Sequence, residues 1–267
     1  MLRRLALVPL LALAACASDP PPPLAERAAP SNAAVAEPSR ALPPAAHEAE
    51  PGVALVELFT SEGCSSCPPA DDALARLVAE GHPGVIALAY HVDYWDHLGW
   101  RDPYGSAAHS ARQRRYAPTL DRRVYTPQAV VNGTTGVVGS RERALREIVG
   151  RALASPQEVP LAVRVRREGG AVTVTPEAAG AVPEGAVVRA ALVQREAATD
   201  VARGENGGRR LEHVHVVRDL AAGAAGPLAL AVPPEAAGLE AGGLFVAAWV
   251  QEGETGPVLG ATTAEIE

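Results

Sequence analysis

Two cysteines three positions apart, Cys64 and Cys67, stand between an apolar run and an amphipathic one. Residues 53–59 (VALVELF) are almost continuously apolar, the pattern of a central strand covered on both faces. Residues 70–78 carry Ala70, Leu74, Leu77 and Val78 on one helical stripe. Pro68, Pro69, Asp71 and Asp72 suit that helix's positive end. Strand, Cys-x-x-Cys and helix in that order put a thiol where unpaired N–H groups and the helix dipole favour thiolate. Thiolate is the species that attacks a disulfide, and a second thiol three positions on can resolve the mixed disulfide. The same spacing also serves half a zinc site or a static loop lock. Zinc needs about four ligands, and the chain has no second Cys-x-x-Cys. A lock on so small a loop removes little unfolded-chain entropy.

The amino terminus bears on the compartment. Arg3 and Arg4 precede an apolar stretch at 5–13, and small residues lead to Cys16. This is an export-signal pattern, too short for a stable membrane span. Leu13-Ala14-Ala15-Cys16 resembles the bacterial lipobox, which implies that Cys16 is lipidated and becomes the mature terminus; an ordinary signal cut nearby is the alternative. Residues 1–16 are therefore expected to be a lipoprotein-type signal. The mature protein is expected to be membrane-anchored through lipid, facing the periplasm or cell exterior. Three cysteines are odd for an exported chain, and lipidation of Cys16 leaves one even pair. Residues 17–51 are rich in Pro and Ala and are expected to be a disordered tether. A net charge of −7 without a basic tract argues against a nucleic-acid partner.

Residues 84–92 supply a second strand, and strand–helix–strand order implies a parallel pair with a right-handed crossover. Farther on, Asn132-Gly133 divides two short apolar runs, the strongest two-residue hairpin signal. Ala144, Leu145, Ile148, Val149 and Ala152 then mark a helix. Cys-x-x-Cys at the first helix, with Thr126-Pro127 entering the hairpin, resembles the thioredoxin superfamily. That resemblance implies an α/β thioredoxin-like domain over residues 52–156, with an insertion at 93–124. It implies that Cys64 attacks, that Cys67 resolves, and that Pro127, after Thr126, is a cis-proline packed against them. The backbone before such a proline can pair with an extended substrate. Glu57 is the candidate carboxylate beneath the site, taking a proton from Cys67. Gly63 stands where the superfamily usually has a bulky aromatic, and Ser65-Ser66 where thioredoxin has Gly-Pro. Residues 56–71, 91–96, 112–113 and 124–133 together are similar to an uncharacterised bacterial secreted thioredoxin-like family. That similarity covers roughly residues 53–260 and supplies no substrate.

Residues 91–102 (HVDYWDHLGWRD) follow the second strand, and ligands of open α/β sheets gather beyond the strands' carboxyl ends. His91, Asp93, Trp95 and Asp96 are therefore expected to line a substrate groove beside Cys64; the alternatives are an unusual packed loop or, less favoured, a metal site. After residue 157, alternating apolar runs with Gly- and Pro-rich joints predict an all-β sandwich-like domain over 157–267. Its polar loop at 204–210 is a candidate to approach the redox face. His213 and His215 lie two apart on one strand, more the pattern of a solvated face than of metal ligands. Neither a cofactor nor a resident metal is expected. The expected function is thiol–disulfide exchange on a protein or small-thiol disulfide substrate through Cys64 and Cys67. Two alternatives stay open. One is a copper-binding envelope chaperone, since Cys-x-x-Cys with a nearby His can hold Cu(I); the other is a non-enzymatic adaptor with a structural disulfide.

Overall fold

The computed structural model describes residues 52–266 apart from 121, 225, 240 and 241. The expected signal, Cys16 and the tether lie outside the described residues. β1 (Ala54–Thr60), α1 (Pro68–Ala79) and β2 (Val85–His91) form the first unit. β1 and β2 run parallel, in register from Ala54↔Val85 to Thr60↔His91. Every β1 residue is buried, as an unbroken apolar run requires of a strand covered on both faces. α1 buries Ala70, Ala73, Leu74 and Leu77.

A short 3-10 turn, Asp96–Leu98, leads to α2 (Ala107–Tyr116). Ser106 caps α2, its Oγ accepting the Ala108 N–H at 3.2 Å. β3 (Gln128–Val131) and β4 (Thr135–Val138) make the hairpin, and β3 pairs antiparallel with β1. Asn132 (φ 45°) and Gly133 (φ 71°) both occupy the left-handed region at its turn, where Asn and Gly are the least strained residues. The Asn132 side chain also continues the pairing: its Oδ1 accepts Leu55 N–H at 2.7 Å and its Nδ2 donates to Val53 O at 2.8 Å. Next come α3 (Glu142–Leu153), β5 (Leu161–Glu168), β6 (Ala171–Ala178), β7 (Ala186–Asp200) and β8 (Arg210–Gly223). β9 (Leu228–Ala231), β10 (Leu244–Glu252) and β11 (Val258–Glu265) complete the order.

The expected α/β thioredoxin-like domain followed by an all-β sandwich is not what forms. The described chain is mostly β: one eight-stranded mixed sheet in the order β11-β10-β7-β8-β2-β1-β3-β4, and a second sheet in the order β5-β6-β9. The later strands thus extend the sheet that β1 begins. β8 lies along the free edge of β2, the two meeting at the parallel pair Ala89↔Val216. The physical reason lies in β7 and β10. Residues 188–194 of β7 and 244–251 of β10 are buried without alternation, so these strands need cover on both faces. A half-solvated sandwich strand does not.

One face of the large sheet carries a continuous core from Leu55, Phe59 and Leu88 through Val193 to Phe245 and Trp249, with Tyr116 of α2 packed on it. The opposite face is divided. Ala190, Leu192, Val246 and Ala248 pack against Val172, Val174 and Leu230 of the small sheet. Val56, Leu58 and Ala89 pack against Leu74 and Leu77 of α1 and Leu145 and Val149 of α3. This division places the carboxyl ends of β1 and β2 next to the amino end of α1.

Candidate functional site

After Thr60 the chain turns tightly. Cys64 N–H donates to Ser61 O at 3.1 Å, and Cys67 N–H donates to Cys64 O at 3.1 Å. Cys67 already has helical dihedrals (φ −80°, ψ −40°), and its carbonyl accepts from the N–H groups of Ala70 (2.8 Å) and Asp71 (3.2 Å). Pro68 and Pro69 follow at positions that need no donor. Cys64 and Cys67 form a disulfide, their Cα atoms 5.4 Å apart. Both residues are 0 % exposed, which means that an attacking thiol needs some part of the surround to move.

Thr126 and Trp95 complete the wall. The Thr126–Pro127 bond is cis. Trp95 Nε1 donates to Thr126 Oγ1 at 2.8 Å, and Thr126 Oγ1 donates to Cys64 Sγ at 3.3 Å, so a two-step hydrogen-bond chain ends on the sulfur. A Cβ on Gly63 would lie 3.0 Å from Trp95 Cβ. Trp95 therefore fills the space a bulky residue before Cys64 would need, which accounts for glycine there.

The other residues expected in the groove do different work. His91 is 0 % exposed and its Nδ1–H donates to Asp102 Oδ2 at 2.7 Å. Asp93 accepts from Ser110 Oγ at 2.5 Å, and Asp96 Oδ1 accepts Asp102 N–H at 3.2 Å. These three residues brace the 91–102 loop, and Trp95 is the member brought to Cys64. Two carboxylates anchor the loop to the cysteine turn. Asp102 Oδ2 accepts Glu62 N–H at 2.8 Å, and Glu62 accepts from Trp100 Nε1 at 2.8 Å and His213 Nε2 at 3.1 Å. Burial works to raise the Asp102 pKa, but His91 and the Glu62 and Tyr104 N–H donors outweigh it and hold it at about 2. His91 and His213 stack edge to face with centroids 4.6 Å apart. The expectation of a solvated His213 is corrected accordingly: it is buried. Among the described residues, no group of three or more His, Cys, Asp or Glu is arranged to hold a metal.

Glu57 does not lie beneath the cysteines. Side chains alternate along β1, so Leu58 faces α1 whereas Glu57 faces α2. There Glu57 accepts from Arg112 Nε (2.5 Å) and Nη2 (2.8 Å), and from Tyr116 OH. Burial lowers and Glu57 raises the Arg112 pKa, which ends above its ordinary value; burial, with Glu57, pushes the Tyr116 hydroxyl up as well. The Glu57 carboxylate is thus held on the face of β1 opposite α1 and the cysteine turn.

Asp71 is the carboxyl group that sequence reasoning missed. It lies one helical turn beyond Cys67, and helical side chains lean toward the amino end. As a residue it keeps partial exposure, yet its carboxyl sits among Thr60, His213 and Asp102, and burial raises its pKa to about 7. Spacing four from Cys67 was the available signal. The polar loop after β7 does reach the cysteine turn: Asn206 Nδ2 donates to Glu62 O (2.8 Å) and Cys64 O (3.1 Å), and Glu205 Oε2 accepts Ser65 N–H at 3.0 Å.

With this geometry in view, the likenesses to known proteins fall into place. No curated protein matches the chain. A crystal structure of protein AGR_C_4864 from Agrobacterium tumefaciens is similar, at 31% identity over 82% of this chain and 96% of that one, with a TM-score of 0.59. HBP35 of Porphyromonas gingivalis shares the fold at 16% identity, with 81% of this chain and 76% of that one covered and a TM-score of 0.55. The model of a protein family of unknown function, DUF1223, matches residues 55–251, and the chain belongs to that family.

Proposed function

We propose that this protein carries out thiol–disulfide exchange on a protein or small-thiol disulfide in the cell envelope. The observation that carries the reading is the Cys64–Cys67 disulfide at the start of α1, with the Thr126 hydroxyl on Cys64 Sγ. In the reduced protein, the helix amino end and the Thr126 hydroxyl favour Cys64 as thiolate. That thiolate attacks a substrate disulfide and forms a mixed disulfide, and one substrate sulfur leaves as thiolate. Cys67 then gives up its proton and attacks Cys64 Sγ, which releases the second substrate sulfur and closes the Cys64–Cys67 bond. Asp71 is the nearby group suited to accept the Cys67 proton. The cysteine turn, Thr126 and Pro127 support kinship of this site with the thioredoxin superfamily, within a different overall sheet. The envelope assignment rests on the signal pattern at 1–16 and on Cys16, through which lipid would tether the protein to the membrane.

Full burial of both cysteines favours a second reading, a static lock in an adaptor protein. Trapping in cells separates the two. Cys67→Ser should accumulate a dithiothreitol-sensitive adduct through Cys64, and Cys64→Ser should not. Absence of any adduct, with a reduction potential below about −300 mV, the range of inert structural disulfides, would overturn the exchange reading.

A further inference from the structure

The tip between β7 and β8, residues 201–209, is folded on itself and then onto the cysteine turn. Gly207 N–H donates to Gly204 O (3.1 Å), Gly208 N–H to Val201 O (2.7 Å) and Arg209 N–H to Asn206 O (3.2 Å). Asn206 is 1 % exposed, and Arg209 Nη1 donates to its Oδ1 at 2.9 Å, which orients the amide so that Nδ2 faces the carbonyls of Glu62 and Cys64. Gly204 (φ 80°) comes so close to Trp100 that a Cβ there would lie 2.9 Å from Trp100 Cβ. Loop and turn are joined through polar contacts at two successive positions, Glu205 and Asn206, while Gly204 packs on Trp100 of the 91–102 loop.

Glu205 gives this contact a chemical sense. Its carboxylate sits on Ser65 N–H, the backbone donor that directly follows Cys64 in the turn before α1. The Ser65 hydroxyl and N–H hold the Glu205 carboxyl below its ordinary pKa, so it stays charged at neutral pH. While the cysteines are oxidised, the sulfur is uncharged and the carboxylate meets no competitor. Reduction changes that. An external dithiol attacks Cys64 Sγ, Cys67 leaves and takes a proton, and the donor's second thiolate attacks the mixed disulfide. The donor departs oxidised by two electrons, and Cys64 is left as thiolate. Two anions then stand on neighbouring residues of one turn, the Cys64 sulfur and the carboxylate held by Ser65 N–H, and like charges so placed repel.

We propose that residues 203–209 form a redox-sensitive latch, held closed over the oxidised cysteines by Asn206 and Glu205 and released when Cys64 becomes thiolate. The proposal rests on the exchange reading of Cys64 and Cys67. It explains how a Cys64 that is buried in the oxidised protein comes to face a substrate disulfide once reduced, and why the loop is polar rather than apolar: hydrogen bonds can be exchanged for water, whereas a buried apolar plug resists release.

The test uses the full protein and two variants, Asn206→Ala and Glu205→Gln. Glu205 is exposed, so its neutral isostere leaves the core untouched. Disulfide reduction by a water-soluble phosphine should be at least about ten-fold faster in Asn206→Ala than in the wild type. Hydrogen exchange at 201–209 should accelerate on reduction in the wild type and respond much less in Glu205→Gln. Equal phosphine rates in wild type and Asn206→Ala, or a wild-type loop equally protected in both redox states, would overturn the latch. These readouts need no substrate, so failure of the trapping experiment sinks the exchange reading without altering them.

Discussion

Thr126 Oγ1 and Cys64 Sγ lie 3.3 Å apart although 62 residues separate them in the chain. The hydroxyl has one proton, and Trp95 Nε1 holds its oxygen at 2.8 Å, so that proton is free to serve the sulfur. Hydrogen bonds to charged groups are worth about 1.5–3 kcal/mol, and one pKa unit is about 1.4 kcal/mol. Thr126→Val in the reduced protein should raise the Cys64 pKa by about one unit. Alkylation rate against pH measures it. An unchanged profile would mean that the contact does not act on the thiolate.

Glu57 and Arg112 are both buried and paired at 2.5 and 2.8 Å. Removing one partner strands a buried charge, which typically costs about 3–5 kcal/mol. Arg112→Met should destabilise the protein by that order in urea unfolding, and Glu57→Leu in the Arg112→Met background should recover much of it. Thiol chemistry should hardly respond, because the pair lies across the sheet from α1. A Cys67 alkylation profile altered by Glu57→Gln would return Glu57 to the redox mechanism.

Asp71 and His109 give opposite pH dependences. Burial raises Asp71 to about 7, so between pH 4 and 7 the folded state keeps a proton that the unfolded chain has lost, and stability falls as pH rises. Burial lowers His109 to about 4, so between pH 4 and 6.5 the unfolded chain holds the extra proton and stability rises with pH. Asp71→Asn removes the first effect alone. The stability of Asp71→Asn relative to wild type should therefore grow from pH 4 to 7, on the order of 1 kcal/mol per pH unit. Urea melts at three pH values check it, and a flat difference would deny Asp71 its raised pKa.

Cys16 lies outside the described residues, and its proposed lipidation has a simple readout. The wild-type protein should need detergent for extraction from membranes, and Cys16→Ser should be soluble or unprocessed. A single acyl chain binds only marginally, so firm retention requires more than one. Wild-type protein found wholly soluble and cut elsewhere would remove the lipobox reading.

Much of the first half was legible in the chain: the apolar run of β1, the Cys-x-x-Cys at α1 and the Asn132-Gly133 turn each follow from local rules. The large sheet was not. Alternation says that a strand is half covered, but not which neighbour pairs with it, and Val216 meets Ala89 from 127 positions away. Glu57 misled for a related reason. When both faces of a strand are apolar, parity gives no clue to which one meets the helix. Trp95 was legible as a residue near Cys64, whereas His91, Asp93 and Asp96 look the same in sequence whether they face a groove or brace a loop. Asn206 acts through a contact 142 residues from Cys64, beyond any local pattern.

The shared edge of β2 and β8 has a bearing on heredity. A chain ending near residue 156 would leave that edge bare and turn Phe59, Tyr90 and Tyr116 toward water, since their cover includes Val193, Phe245 and Trp249. Nor would it carry Asn206 and His213, which hold Glu62 from the far side. The two thiols are thus no cassette that recombination can move between genes. They keep this buried setting only together with the hundred-odd residues that follow, so drift in those strands is constrained by a turn that most of them never touch.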